Sequence, residues 1–220
     1  MSPLKTILKG VTPPLVWSTA KSVTYALGIK TGEKPVDPDE LFDGDDEIFK
    51  EAIKTARVYG EYGVGASTIW VAQNYAIPMV SVDTSKDWLN HVRENIPESR
   101  WLAKHIDVGP LGDWGNPLAH DQRAKYKNYT SALWETEHTP DVVLVDGRFR
   151  VACFLTCLLN AQPGTRIIFD DYVPRPRYHL VEEFCEACQK SDRQALFIVP
   201  EVFDRAQVEK VRDDFAMVTE

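Results

Sequence analysis

The spacing of apolar positions changes character near residue 58. Before it, Ile48, Phe49, Ala52, Ile53 and Ala56 recur at helical intervals. Beyond it, short β-branched runs alternate with amphipathic stretches. Val58–Glu61 reads as a strand, followed by a turn through Gly63 and Gly65 and a helix over Ala66–Ala76. The same reading expects strands at Pro78–Asp83 and Trp101–Ile106, with a helix over Ser85–Ile96 between them, capped by Thr84 or Ser85. Residues 107–121 hold three glycines and two prolines, which predicts a long loop. Gln122–Glu137 is expected to be helical, Pro140–Asp146 a buried strand and Phe149–Ala161 an apolar helix. Thr165–Asp170 gives a further strand, Tyr178–Lys190 a further helix, and Leu196–Val199 and Ala216–Thr219 the last strands. Strands alternating with helices imply an α/β domain whose mainly parallel sheet is covered on both faces.

Residues 1–30 differ from this body in being basic and apolar. A helix starting after Pro13 and Pro14 would carry Val16, Trp17, Ala20, Val23 and Leu27 on one face. It would suit an arm packed on the core, a lid, a homodimer contact or a weakly membrane-associated interfacial helix. Residues 31–46 are turn formers and acids with little to bury, so the expected division is an arm and linker over 1–44 and a domain over 45–220. With 44% hydrophobic and 26% charged residues the chain has ordinary globular composition. A net charge of −8 without a basic cluster argues against nucleic-acid partners. No run approaches the ~18 apolar residues of a membrane span, and the N-terminus lacks a signal-peptide pattern, so a cytoplasmic location is expected. Cys153 and Cys157 share an apolar helix, and Cys185 and Cys188 form a CxxC without a second pair. Buried thiols are a better reading of these than zinc or redox chemistry.

Carboxylates stand at successive strand ends: Glu61, Asp83, Asp107, Asp146 and the pair Asp170–Asp171. In open α/β sheets that edge is where ligands bind. Asp83 lies 18 residues after Gly65 (83 − 65 = 18), where a carboxylate can accept both hydroxyls of a ribose. That alone fits a dinucleotide as well as S-adenosylmethionine (SAM). The turn lacks the third glycine of the dinucleotide fingerprint, and Glu61 would suit a cationic sulfonium cofactor but repel a pyrophosphate.

Glu61-x-Gly63-x-Gly65 resembles motif I of the class I SAM-dependent methyltransferases. The resemblance implies a Rossmann-like fold with seven strands in the order 3-2-1-4-5-7-6, the seventh antiparallel. It also implies SAM along Glu61, Tyr62, Gly63, Gly65 and Ser67, then Asp83, Thr84, Asp107 and Asp146. PDVVLVDGR and RIIFDDY further resemble the metal-dependent O-methyltransferases. That likeness implies Mg²⁺ or another divalent cation on Asp146, Asp170 and Asp171, with Asp146 and Asp170 in the catalytic machinery. The family usually carries a Lys shortly after the first of these acids. Here Arg148 and Arg150 stand instead, so Arg148 enters as a candidate catalytic residue, suited to a substrate carboxylate or a structural ion pair. SVDTSKDW, AKYKNY and FDDYVPRPRYHLVEEF follow the order seen in the glucuronoxylan O-methyltransferase family, which implies a sugar hydroxyl as acceptor. Trp114, Tyr126, Tyr172, Arg175 and Arg177 are expected to shape that pocket, with His179 a candidate base. A nicotinamide-dependent oxidoreductase and a non-catalytic binding module on the same sheet are the rival readings.

Overall fold

The computed structural model describes residues 40–97 and 100–219. The expected N-terminal helix and the linker through residue 39 lie outside the described residues. Seven strands form one sheet: β1 Tyr59–Tyr62, β2 Met79–Asp83, β3 Trp101–His105, β4 Val142–Val145, β5 Arg166–Phe169, β6 Ala187–Lys190 and β7 Ala195–Ile198. Their order is β3-β2-β1-β4-β5-β7-β6. The β3-to-β5 pairs are parallel, and β7 runs antiparallel to both β5 and β6.

The helices are α1 Glu47–Ile53, α2 Ala66–Asn74, α3 Lys86–Asn95, α4 Tyr126–Ala132, α5 Arg150–Asn160 and α6 Arg205–Phe215. Alternation along each strand divides the core in two. Tyr59, Met79, Val142, Leu144 and Ile168 face α1, α2 and α3, where Phe49, Val71 and Leu89 are buried. Tyr62, Val82, Val145 and Phe169 face α4, α5 and α6. Helix α5 has apolar residues nearly all round and is buried from Arg150 to Leu159, as a helix wedged between a sheet and a second helix must be. The order in which strands are added reverses between β1 and β4, so the switch-point crevice opens at their carboxyl ends.

Three expectations need correction. Tyr178–Lys190 is not one helix: a 3₁₀ segment spans Pro176–Glu183, and Ala187–Lys190 is edge strand β6. The helical spacing of EEFCEACQK is overridden by pairing with β7, where a register shift lies between Ala187 and Gln189. The Cys188 thiol donates to the Leu196 carbonyl at 3.2 Å from this strand. Ala216–Thr219 is not a strand either. It follows α6, a charged helix capped by Asp204, whose side chain accepts from Gln207 N. Finally, Gln122–Glu137 contains only α4, preceded by a 3₁₀ turn at Arg123–Lys125. Leu41, in the stretch read as linker, is buried against the α1 face.

Cys153, Cys157 and Cys185 are buried, and burial pushes the Cys185 thiol up to about 11. No helix among the described residues is long and apolar enough to cross a membrane.

Candidate active site

The turn after β1 is fixed by its neighbours. Gly63 has φ +90° and donates to the Val82 carbonyl at 2.9 Å. A Cβ on Gly63 would come within 2.8 Å of Gly147 Cα and 2.9 Å of Gly147 N. Backbone meets backbone there, and neither side can swing away. Gly63→Ala is therefore expected to cost about 2 kcal/mol or more, from left-handed strain and overpacking together. A melting curve checks it. Gly65 is extended rather than left-handed and caps α2. A Cβ there would meet no atom within 4 Å, so this glycine leaves the open side of the turn free for a ligand.

Asp83 binds the turn to the end of β2. Its Oδ2 accepts from Val64 N at 2.9 Å and its Oδ1 from Ser85 N at 2.6 Å. Burial raises its pKa against those hydrogen bonds. A carboxylate has about four acceptor sites, which leaves capacity for two ribose hydroxyls. Thr84 Oγ1 donates to the Gly115 carbonyl at 3.0 Å, tying the 107–121 loop to this edge. Asn116 Oδ1, in the same loop, is buried with no hydrogen-bond partner. Asp107 is exposed, and the Gly109 amide and Lys125 hold its carboxyl below the usual range. An open glycine turn, a two-oxygen acceptor and an orphaned carbonyl oxygen together fit a nucleoside cofactor.

Glu61 sits elsewhere. It is fully buried on the α1–α3 face, and its carboxylate accepts from Tyr59 Oη at 2.9 Å, Ser67 Oγ at 3.2 Å and Ser81 Oγ at 2.7 Å. Burial pushes it up to about 7. It pins β1, β2 and α2 beneath the turn. Tyr62 is likewise internal, with its hydroxyl donating to the Thr130 carbonyl.

Asp146 follows β4 directly beside the glycine turn, its amide donating to the Tyr62 carbonyl at 3.0 Å. Burial and the nearby Asp170 raise its carboxyl. Asp146, Asp170 and Asp171 can bring one oxygen each within 4.8 Å of one another, so the three acids read from sequence do converge. They converge on arginines. Asp170 is fully buried: Oδ1 accepts from Arg193 Nε at 2.9 Å and Gln194 Nε2 at 3.0 Å, and Oδ2 from Arg193 Nη2 at 2.7 Å. Asp171 pairs with Arg175 at 2.7 Å, Arg193 at 3.1 Å and Arg150 at 3.3 Å. Asp146 Oδ1 pairs with Arg150 Nη2 at 2.9 Å. Three carboxylates thus meet three guanidiniums, and the donor set as arranged does not fit a divalent cation.

Arg148 differs from these three. Among the described residues its guanidinium has no ion pair, and its Nε is buried without a partner. Burial and the adjacent Arg150 hold its pKa below the usual value.

The expected pocket residues separate. Tyr126 and Tyr172 are core residues, their hydroxyls bonded to the Ala119 carbonyl and Glu182. Arg177 lies over the Tyr178 ring at 5.2 Å. His179 Nε2 contacts the Tyr172 carbonyl at 3.0 Å. Trp114 is 77% exposed on the loop, with φ +60°. Sequence reasoning named Arg150 without giving it a role, and missed Arg193, Gln194 and Asn116. Only Arg150, four residues after Asp146, carried a local signal.

A central glycine turn, a switch-point crevice and this strand order define the Rossmann-like fold of class I methyltransferases. A methyltransferase-like protein from Silicibacter pomeroyi shares 32% identity, covering 86% of this chain and 98% of that one, with a TM-score of 0.70. On that similarity the chain belongs to the class I SAM-dependent methyltransferase superfamily. A provisionally assigned O-methyltransferase from Klebsiella pneumoniae shares the fold at 17% identity, covering 89% and 95% of the two chains, with a TM-score of 0.51. A cofactor-bound protein from MTB does so at 16% identity, covering 92% and 100%, with a TM-score of 0.54. No protein-family model and no curated protein matches the chain.

Proposed function

We propose that this chain transfers a methyl group from SAM to a hydroxyl on a sugar or other small acceptor. The observation that carries the reading is the placement of a partly exposed acid, Asp146, against the Gly63–Gly65 turn. Asp83 would take the ribose hydroxyls, Asn116 and Asp107 the adenine side, and the bare Gly65 backbone the methionine portion. SAM supplies an electrophilic methyl group when bound. Asp146, its basicity raised by burial and Asp170, takes the proton from the acceptor hydroxyl. Arg150 keeps that carboxylate from rotating away. Arg148, unspent on any described acid, orients an electronegative group of the acceptor. The 107–121 loop, with Trp114 at its tip, walls the acceptor side.

Calorimetric titration with SAM and S-adenosylhomocysteine tests the cofactor. Asp83→Ala is expected to weaken binding roughly 10- to 100-fold, as the loss of one or two hydrogen bonds to a charged group implies. Circular dichroism of the variant separates this from misfolding. Binding of a nicotinamide cofactor, or of neither, would refute the reading. A screen of sugar hydroxyl acceptors with the wild-type protein then tests the acceptor class.

A further inference from the structure

We infer that the guanidinium of Arg150 occupies the place of a catalytic metal: it is a built-in cation around which the three acids are arranged, and it excludes a divalent ion from them. The argument starts from where Arg150 stands. It is the first residue of α5 and 3% exposed. A cation at a helix N-terminus opposes the helix dipole, and burial opposes its charge, so something specific must hold it there.

Its partners supply that. Nε donates to the Gly147 carbonyl at 3.0 Å. Nη1 donates to the Asp170 carbonyl at 2.7 Å and lies 3.3 Å from Asp171 Oδ2. Nη2 donates to the Asp146 carbonyl at 3.1 Å and pairs with Asp146 Oδ1 at 2.9 Å. Every nitrogen is engaged, and every partner is an oxygen. Three carbonyls and two carboxylates are the donor set that a hard divalent cation requires. They gather here around a planar, permanently charged group that needs no water shell. The neighbouring Asp170 oxygens are separately taken by Arg193 and Gln194. A divalent ion beside Arg150 would meet a fixed positive charge and a neutralised acid cluster. The inference does not rest on the proposed methyl transfer.

The test uses Mn²⁺ as probe, followed by electron paramagnetic resonance and by thermal shift, with no methyl acceptor present. Wild-type protein is expected to show no stoichiometric Mn²⁺ site and no change in melting temperature with Mn²⁺ or EDTA. Arg150→Met releases five oxygens and is expected to gain one Mn²⁺ site, at least tenfold tighter than any wild-type binding. If Arg150→Met does not fold, Arg150→Gln, neutral but still able to donate to a carbonyl, takes its place. A stoichiometric wild-type site lost in Asp146→Asn would overturn the inference. So would an Arg150 variant that folds and binds Mn²⁺ no better than wild type. Failure of SAM binding would remove the proposed function and leave this result untouched.

Discussion

Asp170→Ala is expected to lower the stability of the protein by about 3–5 kcal/mol, the usual consequence of removing one partner from a buried ion pair. The reason is what it leaves behind. Asp170 is fully buried and receives both forks of Arg193 and the amide of Gln194. Without it, Arg193 keeps Asp171 at 3.1 Å and exposed Asp43 at 2.7 Å, while Gln194, whose Oε1 is already unpartnered, loses its donor contact as well. Urea unfolding at neutral pH measures the loss. A cost below about 1 kcal/mol, the range of surface pairs, would show that water reaches this cluster freely. Asp171→Ala removes a more exposed carboxylate, which shares Arg193 with Asp170 but pairs also with Arg175 and Arg150, and is expected to cost less.

The second large effect is a pH dependence centred on Glu61. Its folded pKa of about 7 lies above the ordinary 4.5 because burial penalises the charge more than the hydroxyls of Thr68, Ser81, Tyr59 and Ser67 favour it. Between these values the folded protein retains a proton that the unfolded chain has released. Stability therefore falls as pH rises from about 4.5 and levels off above about 7, by a total of ~3 kcal/mol at 1.36 kcal/mol per pKa unit. Glu61→Gln stays neutral throughout. The surrounding hydroxyls of Tyr59, Ser67 and Ser81 can each donate or accept, so the amide is accommodated. The variant is expected to match wild type within about 1 kcal/mol near pH 5 and to exceed it near pH 8.5. Asp83 and Asp146 are also raised and act in the same direction, but they do so in both proteins. The difference between the two urea series isolates Glu61. Parallel series would show that its carboxylate is not buried against its charge.

Much of this was legible in the sequence because it is local. The β1 turn, the spacing from Gly65 to Asp83 and the apolar run of β4 each announce themselves within a few residues. Asp146 and Asp170–Asp171 were found because strand ends mark the functional edge. What the sequence withheld is pairing across distance. Arg193 reaches Asp170 from a hairpin 23 residues further on, and nothing in SDRQ distinguishes it from a surface turn. Strand β6 hid inside a helical pattern because an edge strand answers to its neighbour, β7, more than to its own spacing. Glu61 was read as facing the ligand because its position in the motif is right. Alternation in β1 sends it to the opposite face, alongside Tyr59.

Arg193 also sets an order of events when the chain is made. Its backbone and side chain clasp Asp45 and Asp43, the latter 150 positions earlier, as well as the acid pair. A ribosome extends the chain from its N-terminus, so Asp43, Asp45, Asp170 and Asp171 are all synthesised before the residue they share as a partner. Until the β6–β7 hairpin docks, Asp170 lacks its bidentate partner, and Arg150 and Arg175 face the three acids without Arg193. The central strands can pair in that interval, but the acid cluster at their carboxyl ends cannot close. Closure of so long a loop belongs to the slow end of folding, and it makes a hairpin synthesised after all four acids the part that completes their cluster.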